Sequence, residues 1–387
     1  MDRSPMQPPS LLEMIGTLVA EPSVSSAHAE LDMGNRGVID RLGEWLEGMG
    51  FAVEIMPLEG NKANLLATLG AGEDALVLAG HTDTVPWDEG AWKTDPFRLS
   101  EREGRLYGLG TADMKAFLAL AIEAARALDP ARMQHPLVIL ATADEETSMS
   151  GARALLERGS RPGRYAVIGE PTGLRPVRQH KGILMEAIRL RGRSGHSSDP
   201  AQGINALEGM AEVMQALLAL RAELAERYHN PDFAVPVPTL NLGHIHGGDN
   251  PNRICGECEL HIDLRPLPGM SADEARTLLR ARLVPIAERR GLKLDFKPLF
   301  HGIDALQTAS ESWIVQTCER LTGERAGSVA FGTEGPYLQA LGTETVILGP
   351  GDIEQAHQPD EFLALERIPP MLEILRALIR RHCLGTS

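Results

Sequence analysis

Residues 74–85 have the sequence DALVLAGHTDTV, in which a short apolar run ends just before His81 and Asp83. An apolar run of this length is typical of a strand that is buried on both faces of a sheet. Three later segments repeat the arrangement of an apolar run followed by polar residues: PLVILATA before Asp144, YAVIG before Glu170, and TETVILGPG before the loop that carries His357.

Helical patterns accompany these strands. Residues 36–49 form an amphipathic helical pattern, residues 52–57 resemble a strand, and a helix is expected from about Asp113 to Leu128. Buried strands that alternate with helices indicate an α/β sheet.

The middle of the chain follows a different order. It predicts strand, helix, strand, strand, helix and strand, which is the βαββαβ order of a ferredoxin-like domain. Because the α/β pattern resumes afterwards, we predict that residues 183–298 form a domain inserted between residues 1–182 and 299–387. The six elements are expected at residues 183–193, 201–227, 239–246, 254–264, 272–290 and 293–298.

Composition limits the classes of function. The 387 residues carry a formal net charge of −15, so we expect no nucleic-acid partner, because phosphates require a basic face. No apolar run approaches the ~18 residues of a membrane span, and the N-terminus lacks the pattern of a secretory signal. With only four cysteines, a reducing cytoplasm is the expected compartment.

Side chains that can bind metal ions follow the ends of the predicted strands. Ligands of open α/β sheets bind beyond the carboxyl ends of the strands, so these side chains are expected to gather at one edge. The tight turn of Gly108–Gly110 is expected to bring an aspartate to the same edge. The set is His81, Asp83, Asp113, Glu145, Glu146, Glu170 and His357.

The stoichiometry of this set suits two zinc ions. If Asp113 bridges, each ion has one histidine, one carboxylate of its own, the bridging aspartate and a shared water, which makes four ligands. Glu145 then remains beside a ligand and can act as general base and acid. Asp83 lies two residues from His81, so on an extended strand both side chains share a face, and Asp83 is expected to orient the His81 ring.

The motifs around these residues resemble the M20 family of metallopeptidases over nearly the whole chain. The resemblance implies a zinc-peptidase-like α/β catalytic domain, and an inserted lid domain that also forms a homodimer. The motifs are HTDTVP (81–86), GLGTADMK (108–115), ADEE (143–146), IGEPT (168–172), GRSGHSSDP (192–200) and AHQPDE (356–361).

The same resemblance implies a role for each residue of the metal-binding set. Glu145 is expected to be the acid/base, and Asp83 a catalytic helper. Two divalent ions are expected, with Zn²⁺ preferred, and with Co²⁺ or Mn²⁺ as substitutes that such ligand sets accept. The implied ligands are His81, Asp113 and Glu170 for one ion, and Asp113, Glu146 and His357 for the other.

One further catalytic residue and four substrate-binding residues are expected. By resemblance, His196 corresponds to a lid histidine that reaches the partner's active site and polarises the scissile carbonyl. Asn252 and Arg253 also lie in the inserted domain, and Arg265, a rigid fork of donors, suits an α-carboxylate. Glu334, in the large-domain segment FGTEGPY, is expected to pair with the side-chain ammonium of the substrate.

The resemblance to the M20 family implies the metal-dependent hydrolysis of N-acetylornithine to ornithine and acetate. The alternatives within the family are hydrolysis of succinyl-diaminopimelate or of another N-acyl amino acid, such as acetylcitrulline. These enzymes share the zinc site and differ at the substrate side chain. A catalytically inactive binding protein with the same fold is the alternative that is not an enzyme. The expected acid/base residue and metal ligands are all present in the sequence, which argues against it.

Two other pairs of residues resemble metal sites. Cys255 and Cys258 form a CxxC, but strand alternation directs the two thiols to opposite faces, so we predict a structural role for both. His244 and His246 share a strand face. No carboxylate cluster accompanies them in the sequence, so we predict no site there.

Overall fold

A computed structural model of the chain describes residues 7–385, which form two compact units. The larger unit comprises residues 7–178, 308–327 and 333–385. The smaller, inserted unit comprises residues 179–307 and 328–332. The division into domains at residues 183 and 298 stays a prediction, and each unit is described by itself below.

The described residues contain both helices and strands. Within residues 7–385, no helix combines the length and apolar character needed to cross a membrane. The helices are α1 (Leu11–Ala20), α2 (Arg36–Gly48), α3 (Lys115–Ala125), α4 (Ser150–Glu157), α5 (Ala206–Arg227), α6 (Ala272–Arg289), α7 (Trp313–Thr322), α8 (Gly335–Ala340) and α9 (Ile368–Cys383). The strands are β1 (Ala52–Pro57), β2 (Ala63–Leu69), β3 (Leu76–His81), β4 (Ser100–Arg102), β5 (Arg105–Tyr107), β6 (Leu137–Thr142), β7 (Tyr165–Ile168), β8 (Val177–His180), β9 (Leu184–Arg191), β10 (Thr239–Gly247), β11 (Glu257–Arg265), β12 (Lys293–Pro298), β13 (Leu306–Gln307), β14 (Gly327–Val329), β15 (Glu344–Ile347) and β16 (Phe362–Ala364).

Four parallel strands form the centre of the sheet in the larger unit. Strands β6, β3, β7 and β15 lie side by side in that order. Strands β2 and β1 extend the sheet beyond β6 in antiparallel pairing. Every residue of β3, β6 and β7 is buried, which confirms the reading of their apolar runs as buried strands. Because the four central strands are parallel, their carboxyl ends meet at one edge of the sheet.

Helices cover both faces of this sheet. One face packs against a cluster that includes α1, α2, α3 and α9, and the other against apolar residues of α4 and α8. Gly169, directly after β7, lies so close to the Phe117 ring of α3 that a Cβ atom would collide with it. Glycine at this position therefore lets α3 pack tightly beneath the residue that carries the next carboxylate, Glu170.

The inserted unit contains one antiparallel sheet in the strand order β10-β11-β9-β12. Apolar residues of α5 and α6 form a common core with the inner face of this sheet. The elements follow the predicted order βαββαβ. Ser271 also caps α6 as expected, since its side chain accepts the backbone N–H of Glu274 at 3.1 Å.

Three predicted element starts were wrong, because backbone groups find partners outside the expected element. Helix α3 begins at Lys115, since the N–H of Asp113 donates to a carboxylate in another loop. Helix α5 begins at Ala206, after Asn205 has accepted the N–H of Leu207 at 3.0 Å. Strand β11 begins at Glu257, because the carbonyl of Cys255 accepts the Ala206 N–H at 2.8 Å.

The late start of β11 changes the description of the two neighbouring cysteines. Cys255 precedes the strand, and both Cys255 and Cys258 are buried in the same apolar core, so the expected opposite faces were wrong. Both thiols are free, and burial raises the pKa of Cys258 to about 11. A protonated, buried thiol packs as a small apolar residue, which supports a structural role.

Candidate metal centre

The carboxyl edge of the parallel strands carries the side chains that the sequence analysis singled out. Ligand atoms of His81, Asp113 and Glu146 lie within 4.8 Å of one another, and so do those of His81, Glu145 and Glu170. The structure places the set as follows: His81 at the end of β3, Asp113 before α3, Glu145 and Glu146 after β6, Glu170 after β7, and His357 in the loop after β15.

His81 faces two carboxylates with one ring nitrogen. Its Nε2 lies 3.0 Å from Asp113 Oδ1 and 3.9 Å from Glu170 Oε2, while its Nδ1 lies 3.0 Å from the backbone carbonyl of Asp83. A carbonyl only accepts, so Nδ1 carries a proton and the neutral ring presents a lone pair at Nε2. A lone pair directed at two carboxylates is unfavourable unless a cation lies between them. Among residues 7–385, the buried Glu170 Oε1 finds no hydrogen-bond partner, which also fits a cation site.

His357 provides a matching arrangement on the other side of Asp113. Its Nε2 lies 3.0 Å from Glu146 Oε1 and 3.6 Å from Asp113 Oδ2. The two carboxylate oxygens of Asp113 therefore face two different histidines. A carboxylate in this position could contribute one oxygen to each of two metal ions. His357 has a φ of 59°, a strained conformation for histidine that is commonest at functional sites.

The carboxylates of this cluster lie close together, so a bound cation would stabilise them. Burial, followed by the charge of a neighbouring carboxylate, raises the pKa of Glu145 and of Glu170 well above its usual value. Burial lowers the pKa of His81, but the hydrogen bond to Asp113 and nearby carboxylates raise it further than burial lowers it. The hydrogen bond to Glu146 raises the pKa of His357 to about 9. These shifts all reflect a site that favours bound cations.

Asp83 holds the turn that carries the expected acid/base. Its carboxylate accepts the backbone N–H of Glu145 at 3.2 Å and that of Glu146 at 3.1 Å. Its nearest oxygen lies 3.6 Å from His81 Nδ1, which is too far for a good hydrogen bond. β3 ends at His81, and the Asp83 backbone carbonyl is the group that contacts Nδ1 of the ring, at 3.0 Å. Orientation of the ring by the Asp83 carboxylate stays a prediction.

Four of the expected substrate residues belong to the inserted unit: His196, Asn252, Arg253 and Arg265. The exposed His196 accepts the backbone N–H of Ser198 at Nδ1, at 3.2 Å. The proton of the neutral ring therefore lies on Nε2, where it can be donated to a carbonyl oxygen. Arg265 Nε donates to Asp263 at 2.8 Å, which leaves the terminal nitrogens of its guanidinium as further donors.

Glu334 lies in the larger unit at the start of α8 and is 2% exposed. Thr142 Oγ1 donates to Glu334 Oε2 at 2.7 Å, whereas Oε1 is buried and has no hydrogen-bond partner in the part of the chain that the structure describes. Burial raises the pKa of Glu334 to about 7. A buried oxygen without a donor is costly, so this carboxylate has an unmet capacity to bind a hydrogen-bond donor.

Residues 77–381 match the model of a family described as Peptidase family M20/M25/M40. The chain belongs to this M20 family. An acetylornithine deacetylase from Pasteurella multocida (strain Pm70) is 50% identical over 379 residues, which cover 97% of this chain and 99% of that protein. A second, from Proteus mirabilis (strain HI4320), is 50% identical over 97% of this chain and 98% of its own length.

Solved structures share the M20 fold at low sequence identity. Aminopeptidase PepT from Bacillus cereus ATCC 10987 superposes with a TM-score of 0.75 at 21% identity, and covers 96% of this chain and 98% of its own. The Bacillus subtilis YXEP protein, described as a dinuclear metal-binding peptidase of the M20 family, superposes with a TM-score of 0.66 at 16% identity, and covers 97% and 98%. At this level of identity, the likeness concerns the fold.

Sequence reasoning about the M20 motifs missed the role of Glu361. Its buried carboxylate accepts three backbone N–H groups, from Gly110 at 3.1 Å, Ala112 at 2.7 Å and Asp113 at 3.0 Å. Glu361 belongs to the same loop as His357, and its hydrogen bonds connect that loop to the one that carries Asp113. His357 and Asp113 are both potential metal ligands. Its position in AHQPDE shows that Glu361 belongs to a motif. The backbone N–H groups that donate to its carboxylate lie in a distant segment of the sequence, so the motif alone does not reveal them.

We expect Glu361→Gln to weaken metal binding by about 10-fold, as loss of groups that support ligands commonly does. The amide NH₂ of glutamine would face backbone N–H groups that are themselves donors, so the Asp113 loop would shift. Cobalt titration followed by absorbance measures the effect.

Asp360→Asn is the matched control for this substitution. Asp360 Oδ1 likewise accepts two backbone N–H groups, from Lys93 and Thr94. The loop that contains these two donors carries none of the expected ligands. Wild-type cobalt affinity in Glu361→Gln, or equal losses in both variants, would contradict the expectation.

Proposed function

We propose that the chain hydrolyses N-acetylornithine to ornithine and acetate, with two divalent metal ions as cofactors. The observation that carries the metal-dependent chemistry is the position of Asp113, whose two oxygens face His81 and His357 at 3.0 and 3.6 Å. The substrate is supported by relatives about half identical over nearly the full chain that are named acetylornithine deacetylases.

The metal ions would be held by two overlapping sets of residues. Zn²⁺ is our first choice and Co²⁺ the second, because imidazole and carboxylate donors suit both ions. When bound, such ions polarise the scissile carbonyl and lower the pKa of the attacking water. The proposed ligands are His81, Asp113 and Glu170 for one ion, and Asp113, Glu146 and His357 for the other.

Glu145 would move the proton during hydrolysis. Its carboxylate takes a proton from water as the C–O bond forms, and delivers it to the α-nitrogen as the C–N bond breaks. The amine then takes up the proton of acetic acid, so the products are acetate and the α-ammonium form of ornithine, and atoms and charge balance. Burial raises the pKa of Glu145, which helps the carboxylate to keep the proton between the two steps. Asp83 supports this role by holding the Glu145 backbone N–H.

Specificity would come from groups that match the two charged ends of the substrate. Arg265, with Asn252 and Arg253, would bind the α-carboxylate, and Glu334 would bind the side-chain ammonium. Succinyl-diaminopimelate and acetylcitrulline are the alternative substrates, since enzymes for them would share the metal chemistry and differ at these positions.

An acyl-release assay on a panel of substrates tests the proposed reaction. With added Zn²⁺ or Co²⁺, we expect the highest kcat/KM for N-acetylornithine, compared with N-acetylcitrulline, N-acetylmethionine and N-succinyl-diaminopimelate. Glu145→Gln enzyme prepared in parallel shows whether any release comes from a contaminant. A higher kcat/KM for the succinyl substrate would favour the desuccinylase, and no release from any substrate would favour a binding protein.

We also propose that the enzyme is a cytoplasmic homodimer. Its four cysteines are free, as a reducing compartment favours. Dimerisation would occur through the inserted unit and would bring His196 of the partner subunit to the scissile carbonyl. The proton on its Nε2 supports donation to the carbonyl oxygen.

Mixing two inactive variants tests the shared site. We expect His196→Ala and Glu145→Gln homodimers to be inactive, and their mixture to regain activity, because half of the sites in each heterodimer combine an intact Glu145 with an intact partner histidine. A mass-labelled subunit confirms that exchange has occurred. Absence of activity in confirmed heterodimers would argue against a histidine donated between subunits.

A further inference from the structure

Four side chains of metal-binding type lie together on the outer face of the sheet in the inserted unit. His244 on β10 is opposite His261 on β11, and His246 is opposite Glu259. Between these pairs, Leu260 points into the core that α5 and α6 share. Because side chains alternate across a strand, the four side chains of these two pairs project from the face opposite to the core, where the two pairs lie next to each other.

The spacing of the imidazole rings suits a single metal ion. The ring centroids of His244 and His246 are 5.6 Å apart, and those of His244 and His261 are 4.9 Å apart. Two imidazoles bound to one tetrahedral zinc ion, with Zn–N bonds of about 2.0 Å, place their centroids roughly 5 Å apart. In the conformation described, the nitrogens do not yet converge. His244 and His246 are exposed, so their rings can turn toward a common point.

Glu259 contacts the ring of His261 and would orient it without being a metal ligand itself. Its Oε1 lies 2.8 Å from His261 Nε2, while Arg189 donates to its other carboxylate oxygen. A hydrogen bond from a carboxylate to one ring nitrogen of a histidine commonly accompanies metal binding at the other nitrogen. Because this contact occupies Nε2, Nδ1 is the nitrogen of His261 that would remain to bind an ion.

We propose that His244, His246 and His261 bind one divalent transition-metal ion, such as Zn²⁺ or Ni²⁺, in addition to the ions of the catalytic centre. Imidazole donors suit these ions. β10 is an edge strand whose register shifts between Leu242 and His244, so a bound ion would fix it to β11. The sequence argument against a site here was the lack of a carboxylate, and the fold supplies Glu259 from the neighbouring strand.

Counting bound metal in the full-length protein tests this site. Enzyme loaded at the catalytic centre and freed of excess metal is dialysed against increasing Zn²⁺ or Ni²⁺, and bound ions are measured by mass spectrometry. We expect a third ion per chain in the wild type and in the control His229→Gln, which alters an exposed histidine of the same unit. His244→Gln and His246→Gln are expected to bind it at least about 10-fold more weakly, with unchanged turnover.

Two results would overturn the proposal: two ions per chain in the wild type at saturating metal, or a third ion bound equally by all three variants. If the variants fail to fold, histidine modification of the wild-type protein by diethyl pyrocarbonate decides the matter. Zinc must then slow modification of His244 and His246 while leaving His229 unaffected, and equal rates with and without zinc would refute the site.

Discussion

Replacing Glu145 by glutamine is expected to reduce kcat by about 10²–10⁴-fold, the range that general acid–base catalysis contributes, while two metal ions remain bound. The amide has nearly the same shape as the carboxylate but cannot accept the proton of the attacking water. Its backbone N–H still donates to Asp83, so the turn after β6 should keep its position. Turnover and metal content measured on the same preparation separate loss of the proton carrier from loss of metal.

Metal content is the decisive measurement, because the structure allows a second interpretation of Glu145. Its carboxylate lies close to the His81 ring and the Glu170 carboxylate, in a group that could itself hold an ion. If Glu145 is a ligand, Glu145→Gln would lose about one ion per chain. His357→Ala provides the comparison, since removal of a proposed ligand should weaken one of the two sites. Similar metal loss in both variants would contradict the role of Glu145 as a free acid/base.

The part of the site that the sequence predicts best is the part set by local periodicity. Runs such as LVLAGH fix where β3 ends, and the parallel order of β6, β3, β7 and β15 brings the residues after each strand to one edge. His81 and Glu170 therefore meet for a reason that is visible in the sequence. Asp113 was predicted at this edge even though the start of its helix was misplaced, because the preceding turn, and not the helix, determines its position.

Contacts between distant segments were not predictable from such local patterns. Glu361 meets its three N–H donors only because the loop after β15 lies against the turn before α3. Lys115 is a comparable case, since its buried ammonium donates to the carbonyls of Leu18 and Glu21 at 3.1 and 2.8 Å near the end of α1. Burial lowers the pKa of Lys115 to about 8, and nothing near it in the sequence indicates that environment.

The pairing of β10 with β11 limits prediction in the same way. His244 and His246 were visible as a pair on one strand, but the register that sets them opposite His261 and Glu259 arises only in the folded sheet. Strand register depends on packing against the core and on the bulge after Leu242, neither of which a short sequence window contains.

The second large effect is expected on substrate selectivity, when Glu334 is replaced by glutamine. The Oε1 atom of Glu334 is buried without a donor from the described residues, and a substrate ammonium would supply one. A hydrogen bond between charged groups contributes roughly 1.5–3 kcal/mol, or about 10- to 150-fold in kcat/KM. We therefore expect Glu334→Gln to lose that factor on N-acetylornithine and much less on N-acetylmethionine, which has no ammonium.

Thr142→Val is the matched control, because it removes the hydrogen bond to Glu334 Oε2 and leaves the carboxylate in place. Its effect should be similar on the two substrates, since a supporting contact does not distinguish their side chains. Steady-state kcat/KM for both substrates, measured for the wild type and both variants, gives the comparison. If Glu334→Gln also reduces both values equally, Glu334 supports the fold of the site, and ammonium recognition must come from another residue.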